Sequence, residues 1–281
     1  MRTRSRAIQQ HSGYQLWEIG RDRLEELTDF VFSVYYRRFD SSAWVEAADD
    51  LQHMLDDDLL YADFAQVFAA VAPSGAILST ARAIEAVDLP LPIERDFGVS
   101  VATAAGERSA EQRTRRIFEI ARLATSSPTI RNEQISAHAI PAITDAVVCQ
   151  LVRVTTAEPG NFWVASMDVR ALGLFRNRGF CFEDVGATDP NYIGSPTTPV
   201  ILSMDAFRSE MMSTGQDQYA QYFEAGVSLG AHPHPSQRAT SQLSLPSVSR
   251  GVVPVPRSLP VGVASTASLG PRAMQPRLRR A

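Results

Sequence analysis

The stretch Ile117-Phe118-Glu119-Ile120-Ala121-Arg122-Leu123-Ala124 reads as an apolar β-strand that carries one carboxylate and one guanidinium. A strand at the centre of a sheet is normally a nearly continuous run of Ile, Leu, Val and Phe. Burying a lone charge is costly unless the charge is paired or used. The stretch therefore indicates a structural Glu–Arg pair, an edge strand with one face in water, or a functional site on a central strand.

The spacing of Glu119 and Arg122 decides whether both can serve one site. Residues three apart on a regular strand point to opposite faces of the sheet. A β-bulge between them would bring both side chains to one face. Without a bulge, we expect Arg122 to play a structural part by pairing with an acid on a helix.

Two upstream segments extend the pattern. Ala76–Ile84 is a strand pattern with Arg82 embedded in it, and Leu91-Pro92-Ile93-Glu94-Arg95-Asp96-Phe97-Gly98 follows. This order of an embedded-Arg strand, an L-P-I-E-x-D-F-G loop and a strand with E-x-x-R-L-A resembles the N-acyl amino acid synthases. These are relatives of the acyl-homoserine-lactone (autoinducer) synthases within the N-acyltransferase fold. The resemblance covers residues 14–207 and departs at Ala121, where many relatives have serine.

The order of predicted elements agrees with that fold. The resemblance implies an α+β class, namely a GNAT-like (acyl-CoA N-acyltransferase) α/β/α sandwich around a central mixed, mostly antiparallel sheet. The predicted elements are a strand Tyr14–Ile19, a helix Arg21–Phe39, a hairpin of Phe64–Val71 and Ala76–Ala86, a loop from Pro90 to Gln112, the strand 117–124, a helix Glu133–Thr156 with Pro141 as kink or boundary, a strand Asn161–Met167, a helix Asp168–Arg178 capped by Asp168 and Gly179, strands Phe180–Gly186 and Val200–Met204, and a helix Asp205–Phe223.

Charge divides the chain unevenly. Up to Glu224 there are 20 arginines against 31 acidic residues, a net charge of −11, whereas residues 225–281 hold seven arginines, no acid and no aromatic residue. A segment of that composition cannot bury enough apolar surface to offset the entropy of ordering it. We therefore predict a flexible basic N-terminus at 1–13, an N-acyltransferase domain at 14–224 and a disordered Pro/Ser/Arg-rich tail at 225–281. The tail is either solvated without a specific role or an electrostatic arm for an acidic partner or nucleic acid.

Glu119 is the candidate general base. Acyl transfer from a thioester to an amine needs a neutral amine, and a free amino acid is largely protonated at neutral pH. Glu119 and Arg122 are assigned as catalytic, with backbone N–H groups of the strand meeting the charge that develops on the carbonyl. Arg82 is expected to hold an acceptor carboxylate through its guanidinium fork. Phe118 and Trp163 are expected to contact substrate.

The segment after the strand bears on the donor. Coenzyme-A-dependent relatives carry a glycine-rich loop there that cradles the pyrophosphate, but Thr125–Glu133 contains no glycine. A carrier-protein pantetheine has one phosphodiester and no adenosine, so we expect acyl-phosphopantetheine on an acyl-carrier protein as donor. Carrier proteins are acidic, and the basic run Arg113, Arg115 and Arg116 is the candidate docking site, although a solvated loop is the plainer interpretation.

The predicted function is transfer of a fatty acyl group to the amine of an amino acid. Alternatives are a homoserine-lactone synthase that uses S-adenosylmethionine, an acetyl-CoA N-acetyltransferase, and a non-catalytic acyl- or partner-binding module. The chain has no lysine, no metal-ligand spacing and only two cysteines, which excludes Schiff-base chemistry and a disulfide framework. No bound cofactor, specific nucleic acid or membrane span is expected, and the expected location is the cytoplasm.

Overall fold

The computed structural model describes residues 1–36, 47–108, 116–156, 158–192, 195–214 and 216–223. All of these residues lie in the unit Met1–Pro233. The predicted tail at 225–281 falls outside the described residues, as do Arg113 and Arg115.

A single nine-stranded sheet forms the middle of the described part. Its strands are β1 Arg6–His11, β2 Tyr14–Glu18, β3 Ala65–Val71, β4 Ile77–Glu85, β5 Ile117–Thr125, β6 Phe162–Asp168, β7 Glu183–Asp184, β8 Asp189–Tyr192 and β9 Ser195–Ser203. The strand order is β1-β2-β3-β4-β5-β6-β9-β7, with β8 also paired to β9. Every pair is antiparallel except β5 with β6, which is parallel.

Helices cover both faces of this sheet. They are α1 Leu24–Tyr36, α2 Ala47–Leu60, α3 Pro92–Phe97, α4 Val101–Arg108, α5 Ser127–Asn132, α6 Ile140–Thr155, α7 Val169–Arg176, α8 Met204–Thr214 and α9 Gln216–Phe223. Helices α1–α4 pack into one apolar core and α5–α9 into the other. This layering confirms the predicted α/β/α sandwich with a mixed, mostly antiparallel sheet.

Alternation along β5 assigns its side chains to the two cores. Phe118 and Ile120 pack in the α5–α9 core, whereas Ile117 packs in the α1–α4 core. Strands buried on both faces cannot show a polar face, which is why β4 and β5 read as nearly continuous apolar runs.

The N-terminal segment corrects one prediction. Residues 6–11 form β1, an edge strand paired with β2, and not a flexible arm. None of its side chains is fully buried, so the sequence has no strong alternation to reveal it. A Cβ at Gly20 would lie 2.4 Å from the backbone carbon of Arg4, so glycine at position 20 permits the close approach of this segment.

Two further predictions need correction. The predicted loop between Pro90 and Gln112 contains α3 and α4, separated by Gly98 in a left-handed conformation at φ 66°. The predicted helix Asp205–Phe223 is two helices, α8 and α9. Pro141 lies in the first turn of α6, where its missing N–H costs nothing, so it acts as a boundary.

One helical stretch, Ala137–Thr155, is long and apolar enough to cross a membrane by length and composition. In the structure it includes α6, which buries nine of its residues against the sheet. A single stretch of this kind, packed as a core helix, is weak evidence for a membrane span.

Candidate active site

A β-bulge interrupts β5 at Arg122. Thr80 pairs with Ala124 and Arg82 pairs with Ala121, so two residues of β5 oppose one residue of β4. Arg122 has φ 55°, a left-handed conformation that is rare for an arginine. The sequence left open whether a bulge brings Glu119 and Arg122 to one face of the sheet. This bulge does so, because it reverses the alternation of side chains beyond Ala121.

Glu119 and Arg122 consequently share the α1–α4 face. Glu119 contacts α3, since its Oε2 accepts a hydrogen bond from the Ile93 N–H at 3.0 Å. Arg122 contacts α2, since its Nε donates to Asp58 Oδ1 at 2.9 Å. Leu123, which a regular strand would have turned toward Glu119, packs against the α5–α9 core.

The sheet opens next to Glu119. The parallel pairing joins Ile117–Glu119 with Phe162–Val164 and ends there. β5 then continues to Thr125 along β4, and β6 continues to Asp168 along β9. We call the gap between residues 120–125 and 165–168 the wedge. Backbone groups that face it have no ladder partner on the opposite strand.

Glu119 is a buried carboxyl group, with 3% of its surface exposed. Burial raises its pKa to about 7, and the Asp96 carboxylate adds to that rise, while the Ile93 N–H and the Arg82 and Arg122 guanidiniums oppose it. A carboxyl group with a pKa near neutrality is suited to accept and release protons at physiological pH.

Asp58 of α2 joins the two strand arginines. It accepts hydrogen bonds from Arg82, from Arg122 and from the Thr28 hydroxyl, the last at 2.8 Å, and it is fully enclosed. Arg82 has only 2% of its surface exposed. Arg82 reaches Asp58 through its Nη1, and its buried Nε has no hydrogen-bond acceptor among the described residues.

The L-P-I-E-R-D-F-G segment folds into α3 and covers Glu119. The Glu94 carboxylate accepts from the N–H of Leu91 at 3.0 Å and from that of Val101 at 3.2 Å, which ties the start of the segment to the start of α4. Arg95 forms a two-bond fork with Asp57 of α2, both bonds at 2.9 Å. Two adjacent aspartates of α2 therefore bind different elements. Asp57 binds α3 through Arg95, and Asp58 binds the strand arginines at the β4–β5 bulge.

Tyr192 is a site residue that the sequence analysis missed. Its hydroxyl donates to Asp96 Oδ2 at 2.7 Å, and its ring lies 5.0 Å from that of Phe97. Burial raises the pKa of the phenol, and the nearby Asp96 and Glu119 carboxylates add to that rise. The surrounding Asp189-Pro190-Asn191 is turn-rich, so an aromatic residue just after it was the only available signal.

Phe118 and Trp163 lie on the opposite face of the sheet from Glu119. Both are buried in the α5–α9 core, and Trp163 Nε1 donates to Thr155 Oγ1 at 2.7 Å. This placement puts both rings on the face of the sheet opposite the Glu119 carboxylate. The Phe118 ring instead lies under the guanidinium of Arg116, 4.8 Å away, and Arg116 pairs with Glu85.

Other parts of the described chain show no comparable candidate for a functional site. Two surface cavities of about 360 and 330 Å³ lie at α4 with β7 and at the β2–β3 end of the sheet, and Glu119 lines neither. Within the ranges given above, no group of three or more His, Cys, Asp and Glu residues could hold a metal ion.

Comparisons with known proteins give similarities of fold at low identity. The structure of FeeM, an N-acyl amino acid synthase from uncultured soil microbes, is 13% identical, covers 74% of this chain and 95% of its own, and superposes with a TM-score of 0.47. An acetyltransferase of the GNAT family from Staphylococcus aureus MU50 is 11% identical over 68% of this chain and 99% of its own, with a TM-score of 0.39.

A CoA-dependent acyl-homoserine lactone synthase, MesI, is 15% identical over 53% of this chain and 69% of its own, with a TM-score of 0.33. No protein-family model and no curated protein matches the sequence.

Proposed function

We propose that this protein transfers an acyl group from a thioester to a primary amine, with Glu119 as the general base. The observation that carries the proposal is a buried carboxyl group with a pKa of about 7 at the point where two parallel strands separate. An extended thioester is proposed to enter the wedge between the strands, where the β5–β6 ladder has ended. Unpaired N–H groups of residues 120–125 would then be available to the thioester oxygen.

The proposed reaction is balanced in protons. Glu119 takes one proton from the ammonium group, and the neutral amine attacks the thioester carbonyl. The C–S bond breaks as the C–N bond forms, and the sulfur takes the second proton from nitrogen and leaves as a thiol. Glu119 then returns its proton to water. No covalent enzyme intermediate is needed.

We propose an acyl-carrier protein as donor because α5 is a poor cradle for a pyrophosphate. The Ser126 hydroxyl accepts a hydrogen bond from the Thr129 N–H at 3.3 Å, and the Ile130 N–H is bonded to the Ser126 carbonyl at 3.0 Å. Pro128 has no N–H to offer. The first turn of α5 therefore has few free donors for a diphosphate, which a carrier-bound pantetheine does not require.

We propose an amino acid as acceptor, with Arg122 holding its carboxylate group. Arg122 lies beside the wedge, and its Nε and Nη2 are bonded to Asp58 and to the Met54 carbonyl. Its Nη1 has no hydrogen-bond acceptor among the described residues. That remaining edge of the guanidinium can receive a carboxylate.

The test is a comparison of donors with the purified full chain. The same fatty acyl group is offered on an acyl-carrier protein and on coenzyme A, together with a mixture of the common amino acids, and products are identified by mass spectrometry. We expect N-acyl amino acids, with kcat/KM far higher for the carrier. No amide from either donor would overturn the proposed function, and equal kcat/KM would overturn the donor assignment.

The dependence of the carrier KM on salt concentration tests where the carrier docks. Arg113→Ala with Arg115→Ala should raise the carrier KM and flatten its dependence on salt, because an acidic carrier is attracted through solvent. Arg4→Ala with Arg170→Ala removes two exposed arginines elsewhere and is the matched control. An unchanged salt dependence in the first variant would remove these arginines from the docking site.

A further inference from the structure

The β8–β9 hairpin reaches the open end of the wedge. β9 pairs with β6 as far as Asp168, opposite Thr197, and β8 lies beside the same residue because Asp189 also pairs with Thr197. Tyr192, the last residue of β8, bonds to Asp96 of α3. The hairpin and α3 therefore meet at the level where β5 and β6 have separated.

This meeting point combines a carboxylate with two aromatic faces. Asp96 accepts one hydrogen bond from Tyr192 and one from the adjacent Arg95 Nε at 3.0 Å. The rings of Phe97 and Tyr192 are tilted by 46° and only 5.0 Å apart. A carboxylate beside aromatic faces is a typical environment for an organic cation, since both attract positive charge.

The net charge of the groups around Glu119 also favours the binding of a cation. The ionic cluster formed by the described residues consists of four carboxylates and three guanidiniums, namely Asp57, Asp58, Asp96, Glu119, Arg82, Arg95 and Arg122. With Glu119 ionised its net charge is −1. A monovalent cation would neutralise this charge. Neutralisation is favourable because an uncompensated charge is costly to bury.

We propose that Asp96, Phe97 and Tyr192 form the acceptor end of the wedge and bind the ammonium group of the incoming amine. This inference rests on the proposed function. The ammonium group lies against the Asp96 carboxylate and the two rings, with Glu119 close enough to take one of its protons. Asp96 and Tyr192 are thus specificity-determining residues, and the thioester enters the wedge from the opposite face of the sheet, where α5 lies.

The test separates acceptor binding from donor binding. KM values for both substrates are measured, with glycine as the acceptor, in wild type, Asp96→Asn, Tyr192→Phe and Tyr192→Leu. We expect the acceptor KM to rise about tenfold in Asp96→Asn and in Tyr192→Leu, the scale of one lost charge or ring contact, with the donor KM unchanged. Tyr192→Phe keeps the ring and should show a smaller rise.

Two controls accompany the variants. Asp63→Asn removes an exposed aspartate that pairs with Arg21, and Tyr219→Phe removes a hydroxyl on α9, so neither should change the acceptor KM. Thermal unfolding identifies variants that fold poorly. An acceptor KM within twofold of wild type in both folded Asp96→Asn and folded Tyr192→Leu overturns the inference.

A second measurement uses the wild-type protein alone. Ethylammonium should bind, as followed by NMR shifts of Tyr192 and Phe97, whereas the uncharged 1-propanol should not. Equal binding of the two probes overturns the ammonium site. Absence of any acyl transfer by wild type, with ethylammonium still bound at Tyr192, would instead overturn the proposed function and leave the cation site standing.

Discussion

The carboxyl group of Glu119 is enclosed by α3, and the same burial that raises its pKa affects both activity and folding. Only the deprotonated form can take a proton from the acceptor. With a pKa of about 7, about half of the molecules carry the active form at neutral pH.

Glu119→Gln should lower the rate of acyl transfer by roughly 100-fold or more at pH 7, the usual scale for losing a general base. In wild type, kcat should rise with pH and level off above an apparent pKa near 7, and the variant should lack this inflection. Its deficit should shrink at high pH, where the amine deprotonates unaided. Glu25→Gln, an exposed change on α1, is the control. A wild-type rate in Glu119→Gln at pH 7 would refute the role.

Burial of Glu119 also makes folding stability depend on pH. Its pKa in the folded protein is above the ordinary value of 4.5, so the folded state keeps a proton that the unfolded state has lost. Stability from this group should therefore fall as pH rises from about 4.5 to about 7, by about 3 kcal/mol at most.

Glu119→Gln should remove that loss, because glutamine stays neutral and can still accept the Ile93 N–H. Chemical denaturation should show the variant more stable than wild type at pH 8 and equal to it at pH 4.5. Equal stability at both values would mean that the pKa of Glu119 is not raised in the folded protein.

At the scale of elements, the sequence predicts what local patterns specify. The β3–β4 hairpin and strand β5 are observed close to their predicted bounds, and α1 lies within the predicted helix Arg21–Phe39. Each has its own apolar periodicity or turn residues.

The bulge at Arg122 could not be read from the sequence in the same way. Arg122 adopts a left-handed conformation that its residue type disfavours, and Asp58 holds its guanidinium from 64 positions upstream. The pairing of Arg82 with Asp58 could not be predicted for the same reason, since no local pattern shows which of several acids on α2 reaches Arg82. Tertiary contacts decide both features.

Helix α2 supplies an element-scale prediction. Asp58→Ala should destabilise the fold by roughly 3–5 kcal/mol, because it leaves the buried guanidiniums of Arg82 and Arg122 without their carboxylate. Urea denaturation measures the change, and Asp63→Ala, which removes an exposed partner of Arg21, should cost less than about 1 kcal/mol. Similar losses in the two variants would show that the Asp58 contacts contribute little.

At the scale of the whole molecule, the basic C-terminal segment is separable by composition. Removing residues 225–281 should leave the melting temperature nearly unchanged, because the segment has no aromatic residue and little sustained apolar sequence to anchor it. Scanning calorimetry of the two lengths provides the measurement. A drop of several degrees would place the domain boundary later than residue 224.

The wedge gives the sheet an edge in its interior, and hydrogen exchange should reveal it. Amides at the middle of a sheet normally exchange only through global unfolding, and amides at an edge exchange through small local openings. β5 lies in the middle of the sheet, with four strands on one side and four on the other. The amides of residues 120–125 that point toward β6 nevertheless have no hydrogen-bond partner on that strand. They should exchange orders of magnitude faster than amides shared by β3 and β4, and slow down when an acyl thioester fills the gap.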